Sequence, residues 1–171
     1  MREIALELAQ RHGADQGKVW LAASAHDLAR EWSGPELLAR ARELGIHIGL
    51  PEEVASVFLH GPVAAELLKR QGLNDPEVYN AVFWHSTARG GMTLVEKVVY
   101  LADKLDPEKA HRYPYLPEIR KLANDGLDEA ILEFLGRDIA RLLCSGGFVH
   151  PATLDARNEL LLKRHLRRQN A

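Results

Sequence analysis

Four short segments carry side chains able to do chemistry: His26-Asp27, His60, His85 and Asp103. The His26-Asp27 pair follows Leu21-Ala22-Ala23-Ser24-Ala25, an apolar stretch where a charged carboxylate is stable only when paired or bound to a cation. His60 stands in Phe58-Leu59-His60-Gly61-Pro62, where glycine and proline restrict the backbone, and His85 follows Val82-Phe83-Trp84. Asp103 interrupts the most apolar helical run of the chain and shares a face with Val95 and Val99. An acid facing a core there is neutralised unless histidines or a metal ion keep it charged. Taken singly, each segment has a plain structural reading: a carboxylate ending a helix, a capping histidine, a histidine satisfied in a core. Taken together, they offer three imidazoles and two carboxylates, a mixed set suited to iron, manganese or zinc rather than calcium. Such a set has room for two ions about 3.5–4 Å apart, an arrangement that clamps a phosphoryl group.

Helices must position these groups, because the alternating patterns of strands are absent and Ala, Leu, Glu and Arg dominate. A first helix around Ile4 to Ala9 ends near Gly13, and a second is expected from about Gln16 to Ala29. Ser33 reads as an N-cap with Pro35 in the first turn, and that helix stops before Gly45. Further helices are expected from Pro51 to Phe58, from Pro62 to Gly72, and from Pro76, capped by Asp75, to His85. Thr93 with Glu96 forms a capping box for a helix from Leu94 to Leu105. A loop from Ala110 to Pro117 precedes helices over 117–123, 127–143 and 151–167, with Gly146-Gly147 breaking the chain before the last. The expected architecture is an all-α, compact helical bundle of one domain spanning residues 1–171.

Composition agrees. The 171 residues are 46% hydrophobic and carry a net charge of −2, enough for a core and too near neutral for a global attraction to nucleic acid or membrane. One cysteine, Cys144, allows no internal disulfide and fits a reducing compartment; with no signal peptide or long apolar run, a cytoplasmic protein is expected. No Walker or Rossmann glycine pattern occurs. Cys144, after two leucines, reads as a buried thiol, and Trp20 and Trp32 read as packing residues. The basic tail from Lys163 to Arg168 reads as a solvated helix end. Arg112, Tyr113 and Tyr115 are open to base stacking or to loop packing. The apolar helices allow a homodimer.

The order His26-Asp27, His60, His85, Asp103 resembles the HD superfamily of metal-dependent phosphohydrolases. Leu-His-Gly-Pro-Val-Ala-Ala, Trp-His-Ser-Thr-Ala-Arg-Gly-Gly-Met-Thr-Leu-Val-Glu-Lys, Tyr-Leu-Ala-Asp-Lys-Leu-Asp-Pro and Val-His-Pro-Ala-Thr-Leu-Asp-Ala-Arg-Asn resemble the bacterial YqeK family. The resemblance covers essentially the whole chain. It implies symmetrical cleavage of diadenosine tetraphosphate to two ADP at a two-metal site, iron first among the candidates. It implies that His26, Asp27 and Asp103 ligate metal, and that His60 and His85 complete the second metal position and contact phosphates. Arg30, Ser86, Lys109, Gly146, Gly147 and His150 fall at nucleotide-contacting positions. Lys109 stands where an arginine is usual, which bears on bidentate phosphate binding. The family carries one more ligand histidine, whose equivalent falls a few residues upstream of Met1; His12 lies at the wrong end of the first helix, so an upstream start is expected. The alternatives are hydrolysis of another nucleotide, or a nucleotide-binding protein inactive through loss of that histidine.

Overall fold

The computed structural model describes residues 1–169; Asn170 and Ala171, the end of the expected domain, lie outside the described residues. No strand occurs among the described residues. Three helices open the chain: α1 (Arg2–His12), α2 (Gln16–Ala25) and α3 (Gly34–Leu44). A short α4 (Leu50–Val54), a 3-10 turn (Ser56–Leu59) and α5 (His60–Arg70) follow. Next come α6 (Pro76–Trp84), α7 (Leu94–Lys104), a second 3-10 turn (Pro107–Lys109), α8 (Leu116–Asp125), α9 (Leu127–Cys144) and α10 (Pro151–Gln169).

The local stop and start signals act where expected. Gly13 and Gly45 close α1 and α3 in the left-handed conformation, with φ of 74° and 72°. Asp75 caps α6, and both capping boxes form, Ser33 with Glu36 and Thr93 with Glu96. Glu96 does more than cap. It is 1% exposed and takes a two-point bond from Arg89, Nε and Nη2 each at 2.7 Å, which ties the 89–91 loop to the start of α7.

Two expectations are corrected. The second helix stops at Ala25, not Ala29, because the His26 ring takes the Ala23 carbonyl and the backbone beyond runs in i→i+3 bonds. The helix expected from Pro51 to Phe58 is split at Ala55 into α4 and a 3-10 turn, and α5 begins at His60.

α7 is the axis of the packing. From Val95 to Lys104 every residue except Lys97 is buried, and α1, α2, α6 and α9 pack around it. This forms the main apolar cluster, with α8 and α10 closing the far side. A smaller cluster joins Ala29, α3, Leu59 and Val63. α5 serves both clusters, Val63 facing one and Ala64 and Ala65 the other, and the His60 segment therefore lies at the seam. Cys144 and Trp20 depart from expectation: the thiol is exposed, and Trp20 is 49% exposed on the outer face of α2. Trp32 packs on the smaller cluster as expected. The basic tail pairs within its own chain, Arg167 with Asp128 at 2.8 Å and Arg164 with Glu129 at 3.7 Å. No helix among the described residues is long and apolar enough to cross a membrane.

Candidate metal and phosphate site

Each of the three histidines sits where a helix or turn ends. His26 ends α2, His60 ends the first 3-10 turn, and His85 ends α6. Carbonyls near such ends are open to side chains, and each ring uses one; the Val57 oxygen also takes the His60 backbone N–H. Nδ1–H of His26 donates to the Ala23 oxygen at 2.9 Å, that of His60 to Val57 at 2.5 Å, and that of His85 to Val82 at 2.7 Å. A carbonyl only accepts, so each Nδ1 carries a proton and every Nε2 faces inward, where it can ligate a cation or take a second proton.

Those Nε2 atoms meet the two acids. His26 Nε2 lies 3.3 Å from Asp27 Oδ2 and 3.5 Å from Asp103 Oδ1. Asp27 Oδ1 lies 3.3 Å from His60 Nε2 and 3.4 Å from His85 Nε2. The Nε2 atoms of His60 and His85 are 2.8 Å apart. The structure thus brings all five sequence-predicted groups to one spot. The donor set fits a divalent cation: atoms bonded to one ion at ~2.1 Å, with angles near 90–110°, stand roughly 3–3.4 Å apart. Facing imidazole lone pairs, each with its other nitrogen already protonated, also need a cation or proton between them.

Close approach makes this possible. A Cβ on Gly61 would come within 2.7 Å of the Phe83 oxygen and 3.2 Å of the His85 ring. Gly61→Ala is expected to push α5 off the end of α6, costing about 2 kcal/mol of stability and weakening cation binding. Urea denaturation and metal titration of that variant check both; unchanged metal affinity would show that the approach is unimportant.

The electrostatics follow from this crowding. Burial opposes charge on the His26 ring, but the bonds to Asp103 and Asp27 outweigh it and push its pKa up to about 9. Burial lowers His85 to about 4, so it is neutral near pH 7. Burial also works against ionised Asp27, yet the three histidines hold it well below the usual carboxylate range. Asp103, 4% exposed, is held low against its burial by Lys104, His26 and Lys109. Its Oδ1 is 2.5 Å from Lys109 Nζ and its Oδ2 is 3.0 Å from Lys104 Nζ.

Four of the five groups, Asp27, His60, His85 and Asp103, line a cleft of about 430 Å³, with His26 behind them. Arg30, Ser86, Lys109 and His150 line it, as expected from the sequence. The Ser86 hydroxyl oxygen is buried without a partner among the described residues. Gly146 and Gly147 do not reach the wall; they turn the chain out of α9, the Gly147 N–H donating to the Leu142 oxygen at 2.7 Å. Lys104, His111 and Arg112 line the cleft too, and sequence reasoning missed the first two. Lys104 escaped because adjacent helix residues do not share a face; it bends back to Asp103 and to the Ser86 carbonyl, 3.2 Å away. Of the loop aromatics, Tyr113 lines the cleft while packing on Phe134, and Tyr115 packs on Phe134 and Arg137.

The sequence pattern of the HD domain family matches residues 1–108. The chain belongs to the HD domain family. Its HD relatives include proteins named symmetrical bis(5′-nucleosyl)-tetraphosphatase from Bacillus subtilis and Halalkalibacterium halodurans. The first is 34% identical over 92% of this chain and 83% of its own length, the second 33% identical over 94% and 85%. The crystal structure of an HD superfamily hydrolase from Clostridium acetobutylicum, described as involved in NAD metabolism, superposes with a TM-score of 0.89. It is 31% identical and is matched over 95% of this chain and 85% of that one. Membership of the HD domain family implies divalent-metal binding, and His26, Asp27 and His85 here group tightly enough to hold an ion.

Proposed function

We propose that this chain, as one phosphohydrolase domain over residues 1–171, cleaves diadenosine tetraphosphate symmetrically into two ADP. The observation that carries this is the five-group cluster opening into a cleft whose other charged side chains are mainly basic, a site for a cation and an anionic chain together. The names of the relatives from Bacillus subtilis and Halalkalibacterium halodurans supply the substrate.

His26, Asp27 and Asp103 would hold divalent metal, and His60 and His85 would complete a second position; Asp27 faces all three histidines. Iron is favoured, with manganese and zinc alternatives for such a donor set. When bound, the metal supplies Lewis-acid charge at the phosphoryl oxygens and makes water a stronger acid. Arg30, Lys104 and Lys109 neutralise the polyphosphate, and the Ser86 hydroxyl donates to a phosphate oxygen. His150 is fixed in orientation: its Nδ1 accepts from the Ala152 N–H at 3.1 Å, and its Nε2–H donates to Glu52 at 3.0 Å. It lines the cleft as a rigid wall. Water adds to phosphorus at the middle of the chain, the P–O–P bridge breaks, and two ADP leave.

Product analysis tests this. Metal-loaded protein given diadenosine tetraphosphate should yield ADP as the sole nucleotide; AMP with ATP, or no cleavage, would refute it.

A further inference from the structure

Beside the metal cleft lies a second cavity of about 320 Å³, separated from it by a shared partition. Phe58 and His150 form that partition, their rings 5.0 Å apart and nearly perpendicular, and both line both spaces. The chemistry on the two sides differs. The cleft is rich in arginine and lysine, whereas neither lines the second cavity among the described residues. Its wall is aromatic instead, with Phe83 in contact with both Tyr79 and Trp84; ring centroids are 5.8 Å apart for Tyr79–Phe83 and 4.7 Å for Phe83–Trp84. Glu66 adds an acceptor: one carboxylate oxygen takes the Tyr79 hydroxyl at 2.5 Å, and its other oxygen remains able to accept.

We infer that this cavity receives a nucleobase of the dinucleotide, stacked on the aromatic wall with an N–H edge donated to Glu66. The inference rests on the hydrolase reading above and names a second part of its substrate. No lysine or arginine lines this space, and the nearby Lys69 is taken up by Glu66 at 3.6 Å and by the Tyr79 ring, so it offers phosphate little and suits an uncharged π-system with N–H donors. The two spaces share the edge formed by Phe58 and His150, so a single molecule lying over that edge places base and phosphates at once. Anchoring the base there also sets which phosphorus lies over the cluster, and so favours cleavage at one bridge over its neighbours.

The test uses the manganese-loaded protein titrated calorimetrically with ADP and, separately, with tripolyphosphate, which has no base. Glu66→Gln and Phe83→Leu are each expected to weaken ADP binding about tenfold, about 1.4 kcal/mol, while tripolyphosphate affinity stays within twofold. Two variants guard against one that fails to fold, and circular dichroism verifies each. Equal weakening of both ligands, or of neither, overturns the assignment. Wild-type protein that binds tripolyphosphate but not ADP overturns this subsite alone. Protein that binds neither overturns the hydrolase reading with it.

Discussion

Asp103→Ala is expected to lower turnover of diadenosine tetraphosphate by about a thousandfold or more while leaving the helical circular dichroism signal largely intact. A bound metal contributes several kcal/mol of charge stabilisation in a phosphoryl transfer, and each 1.36 kcal/mol is about tenfold in rate. Asp103 faces His26 with one oxygen and is bound by Lys104 and Lys109, so its loss removes a ligand and frees two cations at once. Lys104 is left buried without its partner, a cost of about 3 kcal/mol, which a domain of ordinary stability, about 5–15 kcal/mol, survives. Asp103→Asn keeps the shape and removes only the charge, and should fall nearly as far. Turnover within tenfold of wild type in both variants would take Asp103 out of the site.

The second large effect is on stability against pH. In metal-free protein His26 titrates at about 9, against 6.5 for an ordinary histidine. Between those values the folded chain holds a proton that the unfolded chain has lost, so stability falls as pH rises through the window, by about 3 kcal/mol. His85 acts in the opposite sense. Its value of about 4 means that between 6.5 and 4 the unfolded chain binds a proton that the folded chain refuses, so stability falls as pH drops. Asp27 and Asp103, both held low, add stability above the ordinary carboxylate value that is lost only at more acid pH. The urea midpoint in chelator should therefore peak near pH 6.5. Metal must displace the His26 proton, so its affinity should rise about a hundredfold across the alkaline limb, and metal-loaded protein should lose that limb. A profile in chelator that stays flat from pH 6.5 to 9 would contradict the paired His26.

Legibility along the chain followed the range of the force involved. The ends of α1 and α3 at Gly13 and Gly45, the Asp75 cap and both capping boxes were readable because such bonds reach only three or four residues. The end of α2 was misplaced because a side chain, the His26 ring, captured a carbonyl that propensity alone leaves to the helix. Glu96 was readable as a cap, but its two-point bond to Arg89 was not, since nothing local pairs residues across a loop. Cys144 follows two leucines and still faces solvent, because burial in α9 ends at Ile139 and Leu143 beside it is itself exposed.

The five groups at the site were visible in the sequence, because a carboxylate in an apolar helix and histidines at helix ends are out of place unless something binds them. Only the tertiary structure decided which of them touch, that Lys104 and Lys109 hold both oxygens of Asp103, and that an aromatic cavity lies behind Phe58 and His150. The physical reason is that local bonding specifies where helices begin and end, whereas the approach of α5 to α6 over Gly61, and with it the meeting of His60 and His85, depends on how whole helices pack.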